Sequence, residues 1–376
     1  MKTHQNVFIA GAWENTLVPL EKANLVLLFG DRQQIKNHSV MENIRTNYPH
    51  AQIVGCTTSG EILGTKIYDD SLCLTAIEFK HSYITVRSAS INNKLTYDVA
   101  KNLADEIYNK DLRYVMVLCD GQQINGSELV NGLQASLPEN ILITGGLAGD
   151  GTIFNETLVW HNENAETGKI LLVGFYGDKL SFSHGCICGS EAFGPDRTIT
   201  KSDGNILYEL DNKPALALYK KYLGPHAKNL PASALFFPLS IKLGDQRVFR
   251  TILNINNNND SMVFAGDLPE GSTVQLMHSS VNKLIDGAEI AAEQTQSKVI
   301  KDHDNGLALL ISCVGRRLVL NKFSEDELEI VKDVLGDNWT YTGFYSYGEL
   351  SPLPNSSQCS LHNQTITITT ICETNE

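Results

Sequence analysis

The C-terminal third gathers Arg316, Tyr347, Glu349 and Asn363 in three short segments, SCVGRR, GFYSYGELSP and LHNQTITITT. A guanidinium, a phenol, a carboxylate and an amide brought together hold a zwitterion or a carboxylate through charge-assisted hydrogen bonds. The same residue types also build networks that satisfy buried backbone, so both readings stay open for these four.

Two of the ten histidines stand out by their surroundings. His184 lies in LSFSHGCICG, a half-buried strand pattern with aromatic and thiol neighbours, and His278 stands where VQLM gives way to a long helix. Each is either a hydrogen-bonded core histidine or a neutral imidazole offered to a metal or a haem iron. His161 is a third candidate of the same kind. Cys313 sits beside Arg316 and Arg317, and neighbouring cations lower a thiol's pKa. The apolar run LALLIS before it favours a buried structural thiol instead.

Other chemistry finds no support. The chain has no CxxC pair, no HExxH and no GxSxG, which removes the usual zinc spacings and the α/β-hydrolase elbow. The segment GGLAGDG at 145–151 follows a strand, but TIFNETLVW after it reads as strand. A phosphate cradle needs a helix N-terminus there, so a tight turn with positive φ is expected. The expectation is therefore a binding protein and no enzyme, with no catalytic residue named.

The elements that would position these residues alternate along the chain. Apolar runs at 25–30, 53–56, 114–119 and 141–144 read as buried strands, and 35–48, 96–108 and 126–137 as helices. Segments 72–79 and 84–89 read as a pair of adjacent strands. After Gly151 come strand-like runs at 157–160, 169–176 and 180–188, then a short helix at 214–223 opened by proline. Gly224-Pro225 makes 210–230 a natural boundary. Beyond it, strands are expected at 234–237, 247–253, 261–265, 273–277, 307–313, 340–346 and 365–370, with helices at 279–298 and 325–335. The pattern is α/β, of the mixed α+β kind.

The 376 residues carry a net charge of −13, which sets nucleic acid aside because a phosphate backbone would be repelled. The N-terminus is too short in apolar residues for a signal peptide, and no run approaches the ~20 apolar residues of a membrane span. Eight cysteines sit largely in apolar runs. The expectation is a cytoplasmic chain with reduced thiols and no membrane insertion.

SCVGRR, GFYSYGEL with a proline shortly after, and LHNQT before β-branched residues resemble the signature of the FIST family. IVGCTTSGEI, GGLAGDG, GNILYELDNKPALALYKKYLG and FAGDLPEG agree with it in order, and the resemblance spans roughly residues 20 to 372. It implies a two-domain architecture with mixed sheets flanked by helices, a FIST N-terminal domain over 20–213 and a FIST C-terminal domain over 214–372. It implies a sensor for small ligands such as amino acids, acting on a separate partner because no kinase or cyclic-di-GMP region is present. A subset of stand-alone members resembling this chain are haem-binding nitric oxide sensors that control a sensor histidine kinase. Haem b would then be the cofactor, with His184, His278 or His161 as axial ligand, and a homodimer is compatible with that role. The family offers no haem motif at the residue level, and Ile366 stands where a methionine often follows LHNQT.

Overall fold

Three apolar strand pairs organise the chain, each of them parallel: Leu25–Gly30 with Gln52–Thr57, Leu112–Cys119 with Leu142–Leu147, and Gly306–Cys313 with Trp339–Ser346. Strands buried on both faces need no polar side, which is why they read as continuous apolar runs. A helix joins each pair: His38–Asn47, Gly126–Gln134 and Ser324–Leu335. Each pair then gains two antiparallel strands beside its first member. These are Leu72–Glu78 and Lys2–Ile9, Lys169–Tyr176 and Tyr83–Ser90, and Ile366–Glu373 and Leu180–Ile187. One unit is thus built three times. The computed structural model describes residues 1–162, 164–230, 232–243, 246–297, 305–353 and 356–374.

The remaining edge of each pair is closed by a hairpin from another unit. Glu61–Leu63 and Lys66–Tyr68 leave the first unit and pair onto Trp339–Ser346 of the third. Gly348–Pro352 and Cys359–His362 leave the third and pair onto Leu142–Leu147 of the second. Val159–His161 and Asn164–Glu166 leave the second and pair onto Gln52–Thr57 of the first. The exchange closes on itself, and it covers strand edges that would otherwise invite pairing with another chain.

The three sheets turn one face inward onto a common core that holds Phe29, Met116, Val173, Leu309 and Phe344. Their outer faces pack under their own helices in three separate clusters. Residues 191–278 are an insertion in the third unit. They form an eight-stranded antiparallel assembly with its own core around Leu207, Leu216, Ile241 and Phe264. Arg250, fully buried, ties that insertion to the ring by donating to the Leu361 carbonyl at 2.8 Å.

The mixed α/β architecture agrees with the sequence reading. Some elements differ. The 72–79 and 84–89 strands are not partners; they lie in different sheets, because a turn signal sets a chain reversal but not the strand it pairs with. The 234–237 run is the end of a 3₁₀ helix, Ala232–Phe236, and the 35–48 helix is broken into Arg32–Ile35 and His38–Asn47 by a second N-cap, Asn37. The long helix runs Val281–Gln296, and Lys298 falls outside the described residues. Lys213–Pro214, at the expected boundary between the two domains, pairs with Ile206–Leu210 in the inserted sheet.

Candidate functional site

Gly55, Gly145 and Gly343 occupy one equivalent place in the three units, opposite Leu28, Val117 and Leu310. A methyl group at any of them would collide with the facing carbonyl oxygen, so close backbone approach demands glycine. Four residues further on, the backbone closes a ring. Ser59 N–H donates to the Tyr345 carbonyl at 2.8 Å, Gly149 to Thr57 at 2.9 Å, and Tyr347 to Leu147 at 3.1 Å. The strand-exit loops 57–61, 147–151 and 345–349 therefore converge on the axis that relates the units.

Side chains thicken this junction. The Tyr347 hydroxyl donates to Asp150, which also accepts from the amides of Phe154 (2.9 Å), Asn155 (2.8 Å) and Glu156 (3.0 Å). Burial alone would raise the Asp150 carboxyl, but the phenol and these amides hold it below its ordinary range. Glu61 and Glu349 stand in equivalent positions, each six residues beyond its glycine. Glu61 accepts from Thr58 (2.6 Å) and Ser71 (2.8 Å), and Glu349 from Ser346 (2.5 Å) and Thr365 (2.9 Å). Burial pushes both carboxyls up to about 8 against these hydroxyls.

A polar cleft of about 500 Å³ opens beside Asp150, where the ends of Leu25–Gly30 and Leu112–Cys119 meet the loop ahead of Val159–His161. The carboxyl ends of parallel strands are where open α/β sheets place their ligands. Asp120 on its wall is fully engaged, accepting from the Gln122, Gln123 and Gly168 amides and from the Thr157 hydroxyl at 2.7–2.9 Å. Arg32 is not. Its Nη1 lies 4.0 Å from Asp150 and 3.9 Å from Glu156, and it is buried without a hydrogen-bond partner. Gln122, Gln123, Asn155 and Thr157 supply neutral donors and acceptors. A simple anion would meet three carboxylates here. A molecule carrying both charges would meet a guanidinium with an open donor and a half-exposed Glu156.

The sequence-derived polar residues lie nearby but inside the protein. Tyr347, Glu349 and Asn363 gather at the ring, with the Asn363 amide donating to the Tyr347 carbonyl at 3.2 Å and its Oδ1 unpartnered. Arg316 is fully buried, bonded to Glu327 at 2.6 Å and to the carbonyls of Leu284 (2.8 Å) and Cys188. None of the four lines the cleft. Cys313 is buried, and burial pushes its thiol well above the ordinary range, so no thiolate is on offer at neutral pH. Sequence reasoning passed over Arg32, Asp120, Asp150 and Glu156. Its available signal was the recurring Gly-acid pair in TTSGE, LAGD and SYGE, which marks the three converging loops.

The three histidines are dispersed. His184 is half-buried on the edge strand Leu180–Ile187, opposite Thr369. His278 lies 3.8 Å from Glu191 and against the Phe237 ring. His161 has both ring nitrogens in contact, with Gln52 at 2.9 Å and Ser88 at 3.4 Å; burial first, then Lys169 and Arg87, lower its pKa. An axial imidazole needs a free ring nitrogen facing an apolar slot. None of the three lines the cleft at Arg32.

Residues 24–213 match the family profile of the FIST N domain, and residues 215–352 that of the FIST C domain. An uncharacterized protein of Methanocaldococcus jannaschii, MJ1623, is 25% identical over 361 residues, covering 85% of this chain and 67% of its own length. Among solved structures, a chorismatase is similar over 99% of this chain and 98% of its own, at 10% identity and a TM-score of 0.35. A cyanuric acid hydrolase from A. caulinodans is similar over 100% and 99%, at 6% identity and a TM-score of 0.39. The expectation of no enzyme does not stand as made: the two similar solved chains are a chorismatase and a cyanuric acid hydrolase. At those scores the likeness assigns this chain no substrate or reaction. No described helix is long and apolar enough to cross a membrane.

Proposed function

Because the chain belongs to the FIST family and carries both its N and its C domain, we propose that it is a receptor for a small zwitterionic metabolite, an amino acid by class. FIST domains are small-ligand-sensing modules of signal transduction, and the cleft at Arg32 supplies a fitting place for such a ligand. The observation that carries the reading is the buried Nη1 of Arg32, held between two carboxylates and hydrogen-bonded to neither. A ligand carboxylate completes Arg32, and its ammonium group is taken by Glu156 in place of the exposed Lys36, whose Nζ lies 3.5 Å from that carboxylate.

Occupancy reaches the ring through Asp150. Asn155 and Glu156 line the cleft and hang by their amides on that carboxylate, which also accepts from the Phe154 amide and from Tyr347 of the third unit. A ligand that draws on Glu156 therefore acts on the junction of all three units, provided the two arrangements differ in ligand affinity. The output goes to a separate signalling protein. A sensor histidine kinase is the proposed partner, with a cyclic-di-GMP enzyme in second place. The narrower version, a haem-based nitric oxide sensor with His184, His278 or His161 as axial ligand, is the second reading and rests on the family resemblance alone.

The test is a thermal-shift screen of amino acids against the protein and its Arg32→Gln and Glu156→Gln variants. One amino-acid class is expected to stabilise the protein by about 2.7 kcal/mol at a hundredfold excess over Kd. Arg32→Gln should weaken that ligand roughly 10- to 100-fold, the worth of a charge-assisted pair. No response to any amino acid, or an unchanged response in Arg32→Gln, would overturn the reading. So would a stoichiometric Soret band on addition of haemin that is lost in His184→Ala.

A further inference from the structure

The inserted sheet carries a second cleft of opposite character. Helix Ala215–Leu223 packs across the strands there, leaving an opening of about 310 Å³ between Arg197, Asp211, Lys213, Leu218, Lys221 and Tyr222. Leu210, Met262, Val274 and Leu276 pack beneath it and leave only about 20 Å³, so the floor is apolar and closed. Three cations face one acid at this mouth, in a chain whose net charge is −13.

The acid is already engaged. Asp211 accepts from Arg197 Nη1 at 2.9 Å and from the Thr198 amide at 2.9 Å, while Arg197 Nη2 donates to the Tyr222 hydroxyl at 2.5 Å. Arg197 Nε is buried with no partner. The side chains of Lys213 and Lys221 are exposed and have no hydrogen-bond partner among the described residues, with Lys213 acting on Asp211 only through its charge. An apolar floor beneath unpaired cations selects a molecule with an apolar body and an anionic head.

We propose that this cleft is a second binding site, for a small amphipathic anion such as a medium-chain aliphatic carboxylate. The head lies between Lys213 and Lys221, and the body lies along Leu218 and Leu210 towards the floor. This site shares no residue with the cleft at Arg32, which lies among carboxylates and requires a ligand that carries a positive group as well. The two ligand classes do not compete.

Equilibrium dialysis of the full chain with labelled octanoate tests it, with acetate and 1-octanol as competitors that lack the body or the head. Saturable binding of one octanoate per chain is expected, with both competitors at least about tenfold weaker. Lys213→Gln with Lys221→Gln should weaken octanoate about fivefold at low salt, since exposed ion pairs contribute little each and are screened. Leu218→Asp should abolish it. The proposal is overturned if octanoate shows no saturation, if 1-octanol competes equally, or if the double lysine variant binds as the parent does.

Discussion

Replacing Arg316 should destabilise the protein rather than empty a pocket. Its guanidinium is fully buried against Glu327, which also accepts from the hydroxyls of Ser312 (3.0 Å) and Tyr345 (3.1 Å). Arg316→Met leaves that carboxylate without its counter-charge and removes donors from the carbonyls of Leu284, Cys188 and Gln364. Breaking a buried pair from one side costs about 3–5 kcal/mol, against a whole-protein stability of about 5–15 kcal/mol. At roughly 2 °C per kcal/mol for a large chain, the melting temperature falls by about 6–10 °C. Adding Glu327→Gln removes the stranded charge while keeping an oxygen for Ser312 and Tyr345. The double variant should therefore recover about half of the loss, the rest belonging to the three carbonyls. Calorimetry on both variants, with intact far-ultraviolet dichroism as the control, decides it. If Arg316→Met melts with the parent and instead loses amino-acid binding, Arg316 is a ligand residue and this reasoning fails.

Other outcomes follow from the same geometry. Glu61 and Glu349 stand at about 8 when folded, against about 4.3 unfolded, so the folded state holds extra protons between these values. Stability present at pH 4–5 is then lost as pH rises through 8; melting scans over that window should slope down and flatten in Glu61→Gln with Glu349→Gln. A level parent profile would contradict this. Tyr347→Phe removes the hydroxyl on Asp150 and should cost about 1–2 kcal/mol, with faster amide exchange at residues 154–156 read by mass spectrometry; unchanged protection would show that the loop does not depend on the ring. A fragment of residues 1–213 leaves Leu142–Leu147 bare on one side and takes from Leu180–Ile187 its one described strand partner. It should lack a cooperative melt, and a sharp transition in that fragment would refute the closed exchange.

Much of the local structure could be read from residue type. The runs LVLLFG and LALLIS are strands as expected, and the ITITT run is fully buried in a sheet as its β-branching suggests. The partners of these strands could not be read, because pairing is set by contacts far apart in sequence. Nothing local in EIL says that it completes a sheet with residues 342–344. The threefold repeat escaped notice for a related reason. Its units share little beyond a glycine at one register and an acid beyond it, and a 191–278 insertion separates the pieces of the third. The run ALFF was misread because four apolar residues fit a buried strand or a short helix equally well. At the site, Arg316 and Glu349 were noticed for their company in sequence, and that company is a buried network. Arg32 drew no notice because its neighbours Asp150 and Glu156 arrive from more than a hundred residues away.

The circular exchange of hairpins also sets a timetable for a chain being made. Glu61–Leu63 leaves the ribosome early, yet its partner Trp339–Ser346 follows only after roughly 280 further residues, or about 14–56 s at ordinary synthesis rates. The second unit waits likewise for Gly348–Pro352 before its outer edge is covered. Only the debt to the first unit, settled by Val159–His161, is discharged before mid-chain. Until the last segments emerge, these two pairings stay unmade, so slow translation late in the message prolongs the interval in which their strand edges are open to another chain.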